Sequence, residues 1–286
     1  MSCLGALVGG TIGLFLGGPL GAIAGAAFGG FISGGAGRIN FGNQQQQFDQ
    51  ESFQGNDRYS SWYGSRMNRS QHHQMTFFVG AFSMLAKIAA ADGHVSDKER
   101  RKVEEFMDRD LNLDSATKQS AFRVFDTAVG SSETFYQFAN QFYREFRYQP
   151  QMLELMIDIM VRVAHEDSGI SSVEETLIID GLHIFRLDDS VYARIKARYT
   201  GGAYDGSQSR YGTAGGYSAG AAYTVLGCSP QDSDEKLKRS YRKLVNEYHP
   251  DKVASKGLPD EFKKVAKQKF LEIQNAWDQI KKERGL

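Results

Sequence analysis

The chain contains few cysteines and few prolines, and it has no excess of either charge. Of its 286 residues, two are cysteine and five are proline, and 34 Lys and Arg balance 34 Asp and Glu. The two cysteines, Cys3 and Cys228, cannot form a disulfide framework and show no metal-ligand spacing. The balanced charge does not indicate a nucleic-acid partner.

The first 37 residues lack charged side chains altogether. Within them the apolar run extends from Leu4 to Ile32, and glycine recurs at every fourth position from Gly5 to Gly29. In water each helical glycine costs about 0.8–1.0 kcal/mol relative to alanine. In hydrocarbon the backbone must form its own hydrogen bonds, so a helix is favoured despite this cost. The pattern therefore predicts a single-pass, Gly-rich transmembrane helix within residues 1–37.

This glycine row predicts a contact between identical membrane helices. Small residues occupy one helical face and bulky Leu, Val, Ile and Phe side chains the opposite one, and small faces let membrane helices approach closely. The predicted contact residues of a homodimer are Gly9, Gly13, Gly17, Gly21 and Gly25. The alternative is a membrane hairpin that turns at Gly17-Gly18-Pro19. A signal peptide is excluded because no basic residue precedes the apolar run.

Composition divides the chain into five segments and indicates an all-α protein. They are an anchor over 1–37, a polar linker over 38–74, a helical domain over 75–199, a Gly/Ser linker over 200–220 and a basic C-terminal domain over 221–286. Arg38 is the first charge and follows the apolar run. Because basic residues stay on the cytoplasmic side of a membrane, both domains are expected in the cytoplasm.

The helical domain carries an internal repeat. Residues 87–103, "KIAAADGHVSDKERRKV", are echoed by residues 162–178, "RVAHEDSGISSVEETLI". Each copy has an S-x-x-E capping box, Ser96 with Glu99 and Ser171 with Glu174, which predicts a helix start. We expect about seven helices from a duplicated unit, and their order resembles the TerB-like domain of tellurite-resistance proteins.

The acidic turns of this repeat are weak candidates for a metal site. The possible oxygen ligands are Asp92, Asp97, Glu99 and Asp167. A plain turn is favoured, because a helix-to-helix connection also needs glycine for positive φ and carboxylates near the next helix N-terminus. A metal-sensing or signalling scaffold centred on this domain is the alternative function.

The C-terminal domain shows two amphipathic helices joined by a loop. Ser233 is positioned to cap the first helix, and Pro250 requires it to end near His249. The apolar stripe of the first helix comprises Leu237, Tyr241, Leu244 and Tyr248, and that of the second comprises Phe270, Ile273, Trp277 and Ile280. Two such faces predict an antiparallel hairpin.

This domain resembles the J domain of the DnaJ co-chaperone superfamily. The matching segments are "AYTVLGCSP", "KLKRSYRKLVNEYHPDK" and "KFLEIQNAWDQI". The resemblance implies that His249, Pro250 and Asp251 contact a DnaK-type chaperone and promote its ATP hydrolysis. It also implies a basic docking surface formed by Lys236, Lys238, Arg239, Arg242 and Lys243.

The order of the segments resembles the membrane-anchored J-domain co-chaperones of the bacterial inner membrane. The resemblance implies a regulator of a partner's ATPase rather than an enzyme. The sequence itself offers no nucleophile, acid pair or phosphate-binding loop, so neither catalytic residues nor a cofactor are expected.

Overall fold

The computed structural model describes residues 16–29, 69–165, 169–200 and 219–286, and within these ranges every regular element is helical. The helices are α1 (Gly18–Gly29), α2 (Arg69–Ala89), α3 (Asp97–Glu105), a π-helical segment (Phe106–Leu111), α4 (Ser115–Val129), α5 (Phe135–Phe146), α6 (Pro150–Ala164), α7 (Ser172–Ile184), α8 (Asp189–Thr200), α9 (Ala219–Val225), α10 (Asp234–Glu247), α11 (Pro250–Ser255) and α12 (Asp260–Arg284).

Helix α2 lies at the centre of the helical domain, where it contacts α4, α5 and α6 most extensively. Phe77, Phe78 and Phe82 of α2 are completely buried, as are Phe142 and Phe146 of α5. Full burial of a large apolar side chain contributes about 1.5–3 kcal/mol. This aromatic centre explains why the long apolar face of α2 organises the helical domain.

The two predicted capping boxes are present and begin α3 and α7. The Ser96 hydroxyl accepts from the Glu99 N–H at 3.2 Å, while the Glu99 carboxylate accepts from the Ser96 N–H at 2.7 Å. Ser171 and Glu174 repeat the arrangement at 3.2 and 2.8 Å. Each box satisfies two N–H groups that a helix start would otherwise leave without a partner.

Helix α2 begins at Arg69, inside the stretch that the sequence predicted as linker. His72 and His73 are therefore helical. His72 Nδ1 lies 3.3 Å and His73 Nε2 lies 3.1 Å from the Glu145 carboxylate of α5. His73 is almost completely buried and packs against Phe146. The ordered domain thus starts before residue 75.

The described part of the N-terminal apolar run packs on the helical domain, which does not support the predicted transmembrane helix. Leu20, Ile23, Ala24 and Phe28 of α1 are buried against α2, α4 and α5. Within the described ranges, no helix has the length and apolar character needed to cross a bilayer. In the described part, the bulky side chains Leu20, Ile23 and Phe28 therefore meet protein where the sequence predicted lipid. Apolar side chains suit a protein core as well as lipid, so composition alone did not distinguish the two.

The predicted glycine row is also interrupted. Gly17 and Gly18 have φ values of +59° and +57°, so the chain turns before Pro19 and does not continue one straight helix. Gly21 is buried and Gly25 is half-buried within this chain. Gly9 and Gly13, the other predicted contact residues, lie outside the described residues. This turn lies at the position where the hairpin alternative placed one, and its residues contact Gln141 of the helical domain. The hairpin itself stays a prediction, because residues 1–15 lie outside the described residues.

The side chain of Gln141 in α5 holds this turn in place. Its Nε2 donates to the carbonyl oxygens of Leu16 and Gly17 at 3.1 and 2.8 Å, and its Oε1 accepts from the Leu20 N–H at 2.9 Å. The last bond satisfies an N–H group in the first turn of α1. One amide thus replaces the hydrogen bonds that a continuous helix would have supplied.

In the C-terminal domain, α10 and α12 form the predicted antiparallel hairpin. The start of α10 meets the end of α12, where Arg284 binds the Asp234 carboxylate at 2.7 Å. Midway, the rings of Tyr241 and Trp277 stack with centroids 4.9 Å apart. The core between the two helices is completed by α9 and comprises Ala222, Tyr223, Val225, Leu226, Leu237, Leu244, Tyr248, Ile273, Ala276, Trp277 and Ile280.

Candidate partner-binding face

The candidate functional site is the turn between α10 and α11 together with the outer face of α10. Ser233 caps α10, accepting from the Lys236 N–H at 3.3 Å. The helix ends at Glu247, and Pro250 begins α11, where its missing N–H has no cost. This local chemistry leaves two residues, Tyr248 and His249, between α10 and the short helix α11.

The three residues of the turn are arranged for contact with a partner. The side chain of His249 is 47% exposed and that of Asp251 is 91% exposed. The Asp251 N–H donates to His249 Nδ1 at 3.3 Å, and the imidazole lies edge-on to Phe270 with centroids 5.7 Å apart. The ring is therefore oriented by neighbours while one edge stays accessible.

The predicted basic residues all lie on the exposed surface of α10. They are Lys236, Lys238, Arg239, Arg242 and Lys243. Lys236 pairs with Asp232 at 2.7 Å, one turn earlier. Among the described residues, the other four make no salt bridge within 4.0 Å, so their charge remains available to an acidic partner.

A shallow depression of about 360 Å³ joins the turn to this basic surface. It is lined by Tyr241, Arg242, Val245, Asn246, His249 and Lys252. Its lining combines the aromatic and aliphatic side chains Tyr241 and Val245 with the cationic side chains Arg242 and Lys252. Such a combination suits a protein partner that presents acidic residues around a small apolar contact.

The face contains no group arranged for covalent or acid–base chemistry. His249 and Asp251 approach only at 3.8 Å, and Asp251 is almost fully exposed. The described residues hold no cluster of three His, Cys, Asp or Glu side chains that could bind a metal ion. The arrangement supports recognition of a partner.

The weak metal candidates Asp92 and Glu99 of the helical domain accept hydrogen bonds from neighbouring residues. The Glu99 carboxylate accepts from both the backbone N–H and the hydroxyl of Ser96, at 2.7 and 2.8 Å. Asp92 accepts from the His94 N–H at 3.4 Å, and Asp97 lies in the first turn of α3. Asp167 lies outside the described residues. Glu99 thus contributes hydrogen bonds to the helix start and Asp92 to the turn, and the plain-turn interpretation stays a prediction.

A group of buried charges between the two domains was not predicted. It centres on Asp158 of α6, whose carboxylate binds Arg198 at 2.6 Å and lies 3.5 Å from the ammonium of Lys269. The sequence feature that could have revealed this group is the acidic residue Asp158 inside the apolar stretch "MLELMIDIMVRVA". A charge at such a position must be paired to be tolerated.

Comparison with known proteins agrees with this architecture. Residues 79–197 match the family described as tellurite resistance protein TerB, and residues 221–284 match the DnaJ domain. The fold and the exposed turn therefore define a J-domain protein with a TerB domain. No solved structure matches the chain.

Curated relatives align with most or all of the chain. A co-chaperone protein DjlA of Coxiella burnetii is 29% identical over 100% of both chains. Those of Escherichia coli (strain K12) and Mannheimia succiniciproducens are 30% and 31% identical, each covering 79% of this chain and 84% of the relative. The chain belongs to the DjlA family of co-chaperone proteins, which confirms the resemblance drawn from the order of its segments.

Proposed function

We propose that this protein binds a DnaK-type chaperone through its J domain and stimulates the ATP hydrolysis of that chaperone. The observation that carries the proposal is the exposure of His249 and Asp251 beside a basic helix while the opposite side of the J domain is buried on the helical domain. The partner supplies the nucleotide site, and this chain supplies the contact that promotes hydrolysis.

The basic surface serves association. Charges at the edge of an interface accelerate encounter and fix orientation more than they add affinity, and their effect decreases with ionic strength. Four exposed cations that have no carboxylate within 4.0 Å in the described part of the chain suit this role. Stimulation is therefore expected to weaken as salt concentration rises.

The test uses the full-length chain and a cognate DnaK-type chaperone. Arg242→Glu should lower the apparent affinity in an ATPase titration several-fold and reduce its salt dependence, because a docking charge is reversed. Lys282→Glu is the matched control, since Lys282 is an exposed cation on the last turn of α12. Equal loss in both variants, or in neither, would contradict a specific docking face.

Placement at the bacterial inner membrane remains a prediction from sequence. Its support is the uncharged run within residues 1–37, of which 1–15 and 30–37 lie outside the described residues. Burial of Leu20 and Phe28 on the helical domain argues against lipid contact for α1. A homodimer through the glycine row is likewise a prediction, and the metal-sensing alternative has no observation that favours it.

A further inference from the structure

The segment from α11 to the first part of α12 packs into the core of the helical domain, although it belongs in sequence to the J domain. Val253, Leu258, Phe262, Val265 and Ala266 are buried in one continuous core with α2 and its neighbours. The core of the J domain itself is a separate cluster that contains none of them. These five residues, which we call the docking face, therefore stabilise contact between the domains rather than the fold of the J domain.

Phe262 is the centre of the docking face. It is completely buried, and its ring centroid lies 5.0 Å from that of Phe77, 6.1 Å from Phe82 and 6.4 Å from Phe78. Edge-to-face and tilted pairs at such distances add about 0.5–1.5 kcal/mol each beyond burial. Phe262 thus completes the aromatic centre of the other domain.

The loop before α12 approaches α2 so closely that it requires glycine. Gly257 has φ +85°, and a Cβ added there would lie 2.7 Å from His73 Cβ and 3.3 Å from the Ser70 carbonyl oxygen. Such close contact between the Gly257 backbone and α2 indicates that the loop packs specifically against the helical domain.

Paired charges flank the apolar contact. Arg198 of α8 binds Asp158 within its own domain and Glu272 of α12, both at 2.6 Å. Lys269 enters from the J domain, 3.5 Å from Asp158 and 4.5 Å from the centroid of the Tyr248 ring. Because buried charges need partners from both domains, this cluster accepts one relative orientation and penalises others.

A second polar contact lies next to the candidate partner-binding turn. The Tyr248 hydroxyl donates to the Glu154 carboxylate at 2.6 Å, and Arg194 binds the same oxygen at 2.9 Å. Tyr248 immediately precedes His249. The helical domain therefore holds the chain on the inner side of the turn, while His249 and Asp251 face outward.

We propose that the helical domain binds the J domain in one fixed orientation, in which the partner-binding face points outward. In this arrangement the segment 201–218 connects the domains in sequence, and the docking face determines how they sit. The J domain is then not an independent module, because its separation would expose Phe262 and leave Asp158 without Lys269. The proposal is independent of the chaperone interaction proposed above.

The test is association of the two domains after the chain between them is cut. A specific protease site is introduced within 201–218 of the full-length chain, the purified protein is cleaved, and the fragments are examined by size-exclusion chromatography at micromolar concentration. We expect the two fragments to co-elute. Separate elution of folded fragments from the otherwise unchanged chain would overturn the proposal.

Variants on α12 make the result specific. Phe262→Ser should separate the cleaved fragments, whereas Leu271→Ser, which alters a 44% exposed apolar side chain of the same helix, should leave them associated. Fluorescence of Trp277, the only tryptophan of the C-terminal fragment, reports whether the J-domain core is intact. Co-elution of the Phe262→Ser fragments would contradict the docking role.

A second variant covers the case in which Phe262→Ser unfolds the J domain. Glu272→Lys reverses a partly exposed charge that binds Arg198 without touching either core. Its cleaved fragments should separate at lower salt concentration than those of the otherwise unchanged chain. An unchanged salt dependence would contradict the proposed charge contribution to docking.

Discussion

At the scale of single residues, Asp158 is a buried carboxylate at the centre of a group of charged side chains. Its side chain is 2% exposed. Burial alone would raise the pKa of Asp158, but Arg198, Lys269 and Arg162 outweigh it and hold this pKa well below its ordinary value of 3.8. The carboxylate is therefore the negative centre of a mostly cationic environment.

Asp158→Asn should lower the free energy of unfolding by about 3–5 kcal/mol, because it leaves buried cations without their partner. Urea unfolding of the full-length chain measures the loss. Asp126→Asn is the matched control, since Asp126 is 52% exposed in its pair with Arg100 and exposed pairs contribute about 0–1 kcal/mol. Equal losses in the two variants would contradict the assigned role of the buried cluster.

The lowered pKa of Asp158 also predicts how the free energy of unfolding depends on pH. A carboxyl whose pKa is lower in the folded than in the unfolded state contributes stability above its unfolded pKa. This contribution is lost as the pH falls below the ordinary value of 3.8 toward the folded pKa. Unfolding measured below pH 4 should therefore depend on pH more steeply in the unchanged chain than in Asp158→Asn.

At the scale of elements, a single side chain of α5 holds the turn at the start of helix α1. Gln141→Ala removes the amide that binds Leu16, Gly17 and Leu20. The expected loss in free energy of unfolding is about 1–3 kcal/mol, the usual effect of leaving partly buried backbone groups without partners. Hydrogen exchange over residues 16–29 should become faster at the same time.

Asn140→Ala provides the control for this element. Asn140 is the exposed neighbour of Gln141 on the same helix, and its amide binds only the Tyr136 carbonyl within that helix among the contacts described. Hydrogen exchange over residues 16–29 in the Asn140→Ala variant should match that in the unchanged chain. If Gln141→Ala behaves in the same way, α1 does not depend on this turn.

Local elements were predictable from sequence where their signal is local. The capping boxes at Ser96 and Ser171 and the stripe from Leu237 to Tyr248 were found because their spacing alone specifies a helix start or a buried face. The same holds for the exposed turn at His249. Each of these features needs only neighbours within a few residues.

Contacts between distant segments were not predictable in this way. The apolar composition of α1 fits lipid and a protein core equally, so it could not reveal that Leu20 packs on α2 and α5. Phe262 and Lys269 had the same ambiguity, because a buried position on α12 does not specify which domain covers it. Asp158 showed only that some partner was needed.

At the scale of the whole molecule, one arrangement links the two domains to the proposed activity. The docking face buries the inner side of the J domain, and the basic surface of α10 with His249 and Asp251 remains outside. A DnaK-type partner can then bind without separating the domains. The exposed turn and the basic surface of α10 together form the proposed contact with the chaperone.

The most direct measurement is the ATPase rate of a cognate DnaK-type chaperone with and without the full-length chain. His249→Gln should reduce stimulation to the basal rate while leaving the melting temperature unchanged, because the exposed ring belongs to neither core. His183→Gln, a control at an exposed histidine of α7, should stimulate normally. Full stimulation by the His249→Gln variant would contradict the account.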